Sequence, residues 1–401
     1  MNRNPNDTGN KIRPSCFSGS PIWVLDAPEM YDPVAERFEI SGWIAGAKAI
    51  DRVYAAPESA GAGLEIRLQP RADVESIFHL PATGFAATCE RSRLQGEKYL
   101  AIRFDCGGES YEIVVPIPGG ETSPEARKRK KLDRIRPFLR CPTCFGELRD
   151  SHPARALACV ACAIEYPFNE EHYDFLTPEL RLQFDILATE NVSANQYDGT
   201  AFNLIRRNPE GLILDCGAGL RDKFFENVVN FEIAAYGSSD VLGVGERLPF
   251  ADNTFDCVFS FAVLEHVKDP FVCARELVRV LKPAGTLYCQ IPFLVPLHGY
   301  PHHYYNMTRK GIENLFSEGV ERTAMGTLGF GQPIFLLSWF LNAYCNGLPD
   351  AVSDTFREMK VKDLLEPGSA YFGADFVKSL SETAQDEISC CNFLIATKTV
   401  D

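Results

Sequence analysis

The stretch GLILDCGAGL, Gly211 to Leu220, is an apolar run that closes on an acid, Asp215, and then turns on Gly217 and Gly219. Continuous hydrophobic character of this kind suits a short strand covered on both faces, as in a parallel sheet. The two glycines let the backbone bend sharply at the carboxyl end of that strand, where open α/β sheets hold their ligands. Alone, a Gly-x-Gly turn is a weak signal, so its surroundings must decide what it serves.

Working outward toward the C-terminus, a second apolar run, VVNFEI, carries Glu232 about twenty residues on from Gly211, where a carboxylate can accept both hydroxyls of a ribose. A dinucleotide-dependent dehydrogenase would show the same acid. Four further runs follow in order: Glu246-Arg-Leu-Pro-Phe250, Asp252-Asn-Thr-Phe-Asp256-Cys-Val, Val263-Leu-Glu-His266 and Glu276-Leu-Val-Arg-Val-Leu-Lys-Pro283. Helix-like segments alternate here with the apolar runs LILDC, VVNFEI, FDCVFSF and TLYCQIPF, the βαβ rhythm of a mainly parallel sheet. The closing run CCNFLIATKT, 390–399, is expected to return as a last strand.

This succession resembles the bacterial class I methyltransferase family of type 11, whose members read LDxGxG, an acid, LPF, FDxV, LEHV and RVLKPGG. The resemblance, which covers roughly 185–400, implies a Rossmann-like domain that binds S-adenosylmethionine. It implies that Asp215 orders the turn, that Gly217 and Gly219 approach the methionine moiety and that Glu232 takes the ribose. Ala218, Glu246 and Phe261 complete the expected cofactor set. Three positions depart from the family pattern: Arg221 where a third glycine is common, Val244 where an acid touches adenine, and Lys282-Pro-Ala-Gly285 in place of Lys-Pro-Gly-Gly. Either Glu246 substitutes for the missing acid or that contact is lost. His266 is expected to orient its helix or line the cofactor pocket, and Asp256 to organise its strand.

Beyond the fifth apolar run lies PFLVPLHGYPHHYYNMT, Pro292 to Thr308, dense in histidine and tyrosine. Loops at the carboxyl edge of a parallel sheet carry function, and polar-tipped aromatics are what an acceptor pocket uses. Family members resemble it with a His-Gly-x-Pro-x-x-Tyr-Tyr run. Methyl transfer is an in-line displacement in which the enzyme positions the nucleophile and accepts its proton, so His298, His302 and Tyr304 are the candidate catalytic residues. A metal site of His298, His302 and His303 would lack a nearby acidic or cysteine ligand and is set aside. The helices that follow, through LGFGQPIFLLSWFLNAY and 351–385, suit a lid or cap.

Working outward toward the N-terminus, residues 139–167 hold two Cys-x2-Cys knuckles, Cys141/Cys144 and Cys159/Cys162. Four thiolates in a tetrahedron suit Zn2+ and leave no open position, so the metal should be structural and its removal should melt this module first. With Arg-Cys-Pro-x-Cys and Tyr166-Pro167, the segment resembles the small zinc-ribbon activators of tRNA- and protein-modifying methyltransferases, which implies a docking or stabilising role.

Still earlier, residues 22–117 alternate β-rich runs with turn signals, which predicts a small sandwich. Gly42-Trp43, the run Arg71 to Val74 and Gly84-Phe85 resemble a β-sandwich module that accompanies glycosyltransferases and methyltransferases of surface-glycan synthesis. The expected organisation is a disordered tail over 1–20, a β-sandwich-like domain over 21–118, a linker over 119–138, the ribbon over 139–178 and the methyltransferase domain over 179–401. The run Arg127 to Lys131 is the dense basic stretch and reads as a solvated linker.

Composition bounds the partners. A net charge of -14 argues against general nucleic-acid binding, which draws its strength from Lys and Arg displacing counterions. No run is apolar enough to span a membrane and no signal peptide opens the chain, so a cytoplasmic protein is expected. These features favour an O- or N-methyltransferase with a small-molecule or glycan acceptor. Alternatives are a tRNA or protein acceptor, a non-catalytic interaction protein on a Rossmann-like scaffold and, third, a nicotinamide dehydrogenase. Oligomeric state is not legible.

Overall fold

In this computed structural model the residues described are 21–27, 36–56, 64–94, 96–97, 99–117, 123–151, 155–169, 171–187, 192–194, 196–299, 302–392 and 394–398. The expected disordered tail, 1–20, lies outside them.

The N-terminal part is built from β1 (Ile22–Ala27), β2 (Arg37–Ala45), β3 (Ile50–Ala56), β4 (Arg67–Pro70), α1 (Ala72–Phe78), β5 (Ala82–Glu90), β6 (Tyr99–Cys106) and β7 (Glu109–Pro116). Two antiparallel sheets, ordered β1-β2-β5-β4 and β3-β6-β7, enclose a core that includes Ile40, Ile44, Phe85, Phe104 and Ile113. The three short motifs converge here. Gly42 lies opposite Phe85 and Trp43 opposite Gly84 across β2 and β5. A Cβ on Gly42 would sit 2.7 Å from the Phe85 ring, and one on Gly84 would sit 3.1 Å from Arg71 Cγ. Gly42 thus makes room for the Val24 carbonyl, 2.3 Å from such a Cβ, as well as for the Phe85 ring, and Gly84 for the side chains of Arg71 and Gln69.

The basic run behaves unlike a solvated linker. Residues Pro124–Ile135 form α2, capped by Ser123 and opened by Pro124 at a position where its missing N–H costs nothing. Lys131 is buried and its ammonium lies 2.6 Å from Asp240 Oδ2, with Lys128 at 3.3 Å from Oδ1. Lys131 also donates to the carbonyl of Val228 and covers the Phe224 ring. Leu132 and Ile135 enter the same core as Leu214, Val229 and Phe231. The helical spacing of these side chains turns half of the basic run inward, where a buried aspartate neutralises it.

After α2 come β8 (Leu148–Ser151), β9 (Ala156–Cys159) and β10 (Glu165–Pro167), a three-stranded sheet carrying the cysteine knuckles. Next are β11 (Tyr173–Asp174), α3 (Pro178–Gln183), α4 (Gly199–Arg207), β12 (Ile213–Cys216), β13 (Val228–Glu232), β14 (Val241–Leu242), β15 (Phe255–Phe261), α5 (Pro270–Val280) and β16 (Leu281–Gln290). Six of these strands form a sheet ordered β11-β14-β13-β12-β15-β16, parallel at every pairing. The mainly parallel Rossmann-like fold expected from the sequence is therefore present. β11, expected within the ribbon segment, belongs to the large sheet instead, where Tyr173 pairs with Val241.

Alternate residues of the central strands face two separate cores. Leu214, Phe231 and Val258 pack with α5, α2 and the ribbon, whereas Ile213, Val228 and Phe259 pack with α4 and with Val114 of β7. Trp23 meets Phe202, the Tyr99 hydroxyl donates to Asn227, and Arg206 pairs with buried Glu112, so the N-terminal sheets pack directly on the part of the chain that holds the parallel sheet. The connection 217–227, where a crossover helix is usual, holds only turns.

The chain ends in α6 (Arg309–Leu315), α7 (Pro333–Asn346), α8 (Asp350–Arg357), α9 (Asp375–Lys378) and α10 (Glu382–Ile388), the last four around Cys345, Leu348 and Phe356. The expected closing strand is not formed. Residues 390–392 and 394–398 make no ladder, and Leu394 and Ile395 are exposed. The preceding segment is helical and supplies no partner strand, and a lone edge strand gains a single row of hydrogen bonds. Among the described residues no helix is long and apolar enough to cross a membrane.

Candidate functional site

The carboxyl ends of β12, β13, β15 and β16 bring most of the expected residues to one edge. Gly217 and Gly219 both adopt left-handed backbone, at φ 74° and 64°, a conformation that costs other residues a Cβ clash. A Cβ on Gly217 would lie 2.3 Å from Val263 Cγ2, and one on Gly219 would lie 2.5 Å from the Ser193 carbonyl oxygen. The turn is thus fixed by the protein's own packing, with Ser193 laid across it and accepting the N–H of Leu220.

Glu232 ends β13 nearly buried. Its Oε2 accepts the Gly219 N–H at 2.7 Å and its Oε1 the N–H of Ile233 at 2.7 Å. Burial raises its carboxyl above the ordinary range, against the pull of those two N–H groups. Asp215 is fully buried at the end of β12. Its Oδ2 accepts from the Tyr197 hydroxyl and from Arg221 Nε, while its Oδ1 has no hydrogen-bond partner. Arg221 also stacks on the Tyr197 ring, 4.1 Å from its centroid. The residue that replaces the common third glycine therefore neutralises the strand-end acid.

Ala218 is buried in the turn and Phe261 closes β15 beside Tyr288. Glu246 is buried but turned toward α5, its Oε1 accepting the N–H of Asp269. Val244 packs with Leu176, Leu180 and Leu242 in an aliphatic cluster. Asp256 accepts the N–H of Leu212 and pairs with Lys282, a strand-organising arrangement.

The histidine-rich loop is tied to the segment that follows β15 through Glu265 and His266. The Glu265 carbonyl accepts the N–H groups of Tyr304 and Tyr305, and the His302 carbonyl faces His266 Nδ1 at 2.8 Å. Gly299, at φ 79°, passes so close that a Cβ there would sit 2.4 Å from His266 Cε1. His298, His303 and His266 form a ring cluster with centroids 4.5–5.4 Å apart, and Trp339 of α7 lies 5.2 Å from His298. His302 stands beside Tyr304, whose phenol is raised by burial. Leu297 donates to the Glu387 carbonyl, so α10 also holds this loop.

Sequence reasoning passed over Glu265, Tyr197 and Ser193. Glu265 lies inside the Val263 to His266 run, where the signal it carries is its place beside His266. Tyr197 and Ser193 carry no local motif, and their contacts arise only when the segment before α4 folds over the glycine turn.

In the ribbon, Cys141 Sγ lies 3.6 Å from Cys162 Sγ and Cys144 Sγ lies 3.4 Å from Cys159 Sγ, and all four sulfurs fall within 4.8 Å of one another. Phe145 and Ala163 take left-handed backbone just after each knuckle and donate to the Cys141 and Cys159 carbonyls. A Cβ on Gly146 would press on the Cys144 and Cys159 sulfurs at 3.2 Å. The Tyr166 hydroxyl sits 3.0 Å from Cys141 Sγ. The cluster could hold a metal ion and is compatible with a zinc ribbon.

Residues 220–289 match a family model described as a methyltransferase domain. An uncharacterized methyltransferase of Schizosaccharomyces pombe is 44% identical over 63 residues, 16% of this chain and 23% of that protein. A tRNA U34 carboxymethyltransferase of Campylobacter curvus is 26% identical over 122 residues, 30% of this chain and 39% of that protein. The ubiquinone/menaquinone biosynthesis C-methyltransferase UbiE of Klebsiella pneumoniae is 52% identical over 42 residues, 10% of this chain and 17% of that protein. The matched stretch therefore spans under two fifths of each of these relatives.

Proposed function

We propose, from the class I methyltransferase domain that this chain carries, that it transfers a methyl group from S-adenosylmethionine to an oxygen or nitrogen nucleophile of a small-molecule or glycan acceptor. The observation that carries this reading is the placement of the glycine turn, Glu232 and the histidine-rich loop on one edge of the parallel sheet.

The residues present fit the donor. The Glu232 carboxylate, at the end of β13, offers an acceptor for a ribose hydroxyl, and the unpartnered Asp215 Oδ1 is an acceptor suited to the amino group. Bound there, the sulfonium would supply an electrophilic methyl carbon. This chain's part is to hold the acceptor in line and to receive its proton. Tyr304, raised by burial, stays a protonated donor and positions the acceptor, which leaves the His302 imidazole as the proton acceptor. His298 lines the same loop.

The glycan preference rests on the likeness of the N-terminal sheets to glycan-associated modules and on the acidic charge. We further assign Zn2+ to the four cysteines in a structural role, because four thiolates leave no open position. Calorimetry with S-adenosylmethionine, followed by labelled methyl transfer into cell extract, tests the function: no binding by the folded protein and no labelled product would end it. Val244 in its aliphatic cluster and Glu246 turned to α5 favour a weakened adenine contact, which together with Arg221 in place of the third glycine speaks for a non-catalytic scaffold. Replacement of Glu232 separates the two, since a scaffold would keep its partner binding.

A further inference from the structure

Glu265 is fully buried, and neither of its carboxylate oxygens has a hydrogen-bond partner. A carboxylate in that position is costly, because burial strips its water and nothing replaces it. Burial pushes its carboxyl up to about 8. Two imidazoles stand near it. His266 Nε2 lies 3.8 Å from Glu265 Oε1, and one donor atom each from Glu265, His266 and His298 fall within 4.8 Å of one another.

The two histidines are already set as ligands. His266 Nδ1 faces the His302 carbonyl at 2.8 Å and His298 Nδ1 faces the Pro296 carbonyl at 3.0 Å. A carbonyl oxygen accepts only, so both Nδ1 atoms carry the proton and both Nε2 atoms keep a lone pair. Fixing the tautomer through a backbone carbonyl is the arrangement that metal-bound histidines use. His303 is spent otherwise: its Nδ1 accepts the His298 N–H, and its Nε2 lies 3.2 Å from the Tyr305 carbonyl. It braces the loop and is no ligand.

We propose that Glu265, His266 and His298 form a second metal site, which takes a divalent first-row transition ion and is distinct from the four-cysteine cluster. Two imidazoles and one carboxylate are the donor set of Zn2+ or Fe2+ centres that keep open positions. Bonds of about 2.0–2.1 Å bring tetrahedral donors to within about 3.4 Å of one another. Rotation of the Glu265 carboxylate, which no other bond restrains, and adjustment of the His298 loop provide that closure. The open positions would lie against the acceptor-side loop, which suits an oxygen-rich acceptor able to offer a hydroxyl or carboxylate to the ion. This role toward the acceptor rests on the methyl-transfer reading, whereas metal binding does not.

The test uses the full chain, loaded with Co2+ and then with Zn2+ after chelation. Wild-type protein should take about two equivalents, one showing sulfur-to-cobalt charge transfer and one with only weak ligand-field bands. Glu265→Gln and His298→Ala should each lose the second equivalent and keep the first, and His303→Ala should keep both. His298→Ala serves as the safeguard against misfolding, because it alters a partly exposed loop side chain, and melting curves confirm the fold. A wild type that binds a single, thiolate-type equivalent overturns the proposal, as do variants that still bind two. Loss of methyl transfer with both metals retained would count against the proposed function and leave this site standing.

Discussion

The Oε2 of Glu232 accepts the backbone N–H of Gly219 at 2.7 Å, so the acid expected to take a ribose also closes the glycine turn. Glu232→Ala would leave the N–H groups of Gly219 and Ile233 without their acceptor. Each buried unsatisfied donor costs about 1–3 kcal/mol, so the variant should melt earlier as well as lose the donor. Glu232→Gln keeps one of the two acceptors and turns its NH2 toward the other backbone N–H, so it should melt between the alanine variant and wild type while binding S-adenosylmethionine at least about tenfold more weakly, about 1.4 kcal/mol. Calorimetry alongside thermal melts checks both, and undiminished binding by the alanine variant would rule out the ribose role.

Ala284 adopts φ 63° where the family pattern has glycine. Left-handed backbone costs an L-residue about 1–2 kcal/mol, partly offset by the greater entropy that a glycine loses on folding. Ala284→Gly should therefore raise Tm by about 1–3 °C. Gly285 offers no such latitude, since a Cβ there would meet the Lys282 carbonyl oxygen at 2.9 Å and the Asp256 carbonyl oxygen at 3.0 Å. An Ala284→Gly protein that melts lower would show that the strain is absent.

Asp240 is the buried anion to which α2 is anchored, through Lys131 and Lys128. Asp240→Asn should destabilise by about 3–5 kcal/mol, because it leaves a buried ammonium uncompensated. Adding Lys131→Met to it should recover most of that loss, since the apolar stem then replaces the orphaned charge. Urea unfolding of the single and double variants measures the coupling, and a double variant no more stable than the single one would contradict it.

The parallel sheet was legible because its strands are continuous apolar runs, LILDC and FDCVFSF among them, that no other element accommodates. The four cysteines were legible because spacing alone makes their sulfurs converge. The second metal set was hidden because His298 stands more than thirty residues beyond the adjacent pair Glu265 and His266, and it is folding that brings its loop back to them, through the Tyr304 and Tyr305 N–H groups on the Glu265 carbonyl and the His302 carbonyl on His266. The basic run misled for a related reason. Five charges in succession look solvated, and the partner that buries two of them, Asp240, is supplied from more than a hundred residues away.

That helix and the ribbon share one core, which alters what metal removal should do. Cys141, Leu157, Cys159 and Tyr166 pack in the same cluster as Leu132, Leu214, Phe231 and Phe250, and Arg140 donates its N–H to the Pro249 carbonyl. A ribbon with a separate core would melt by itself on chelation, as the sequence alone suggested. With a shared core, loss of the metal removes the support of Tyr166 and Leu139 from beneath the sheet, and metal-binding energy in so small a module is largely its folding energy. Chelation, or Cys144→Ser, should therefore lower the melting of the methyltransferase sheet together with that of the ribbon, in a single transition. Hydrogen exchange reads this directly: amides of β9 and β13 should lose protection together. Exposure of residues 139–167 with β13 still protected would show the two to be independent.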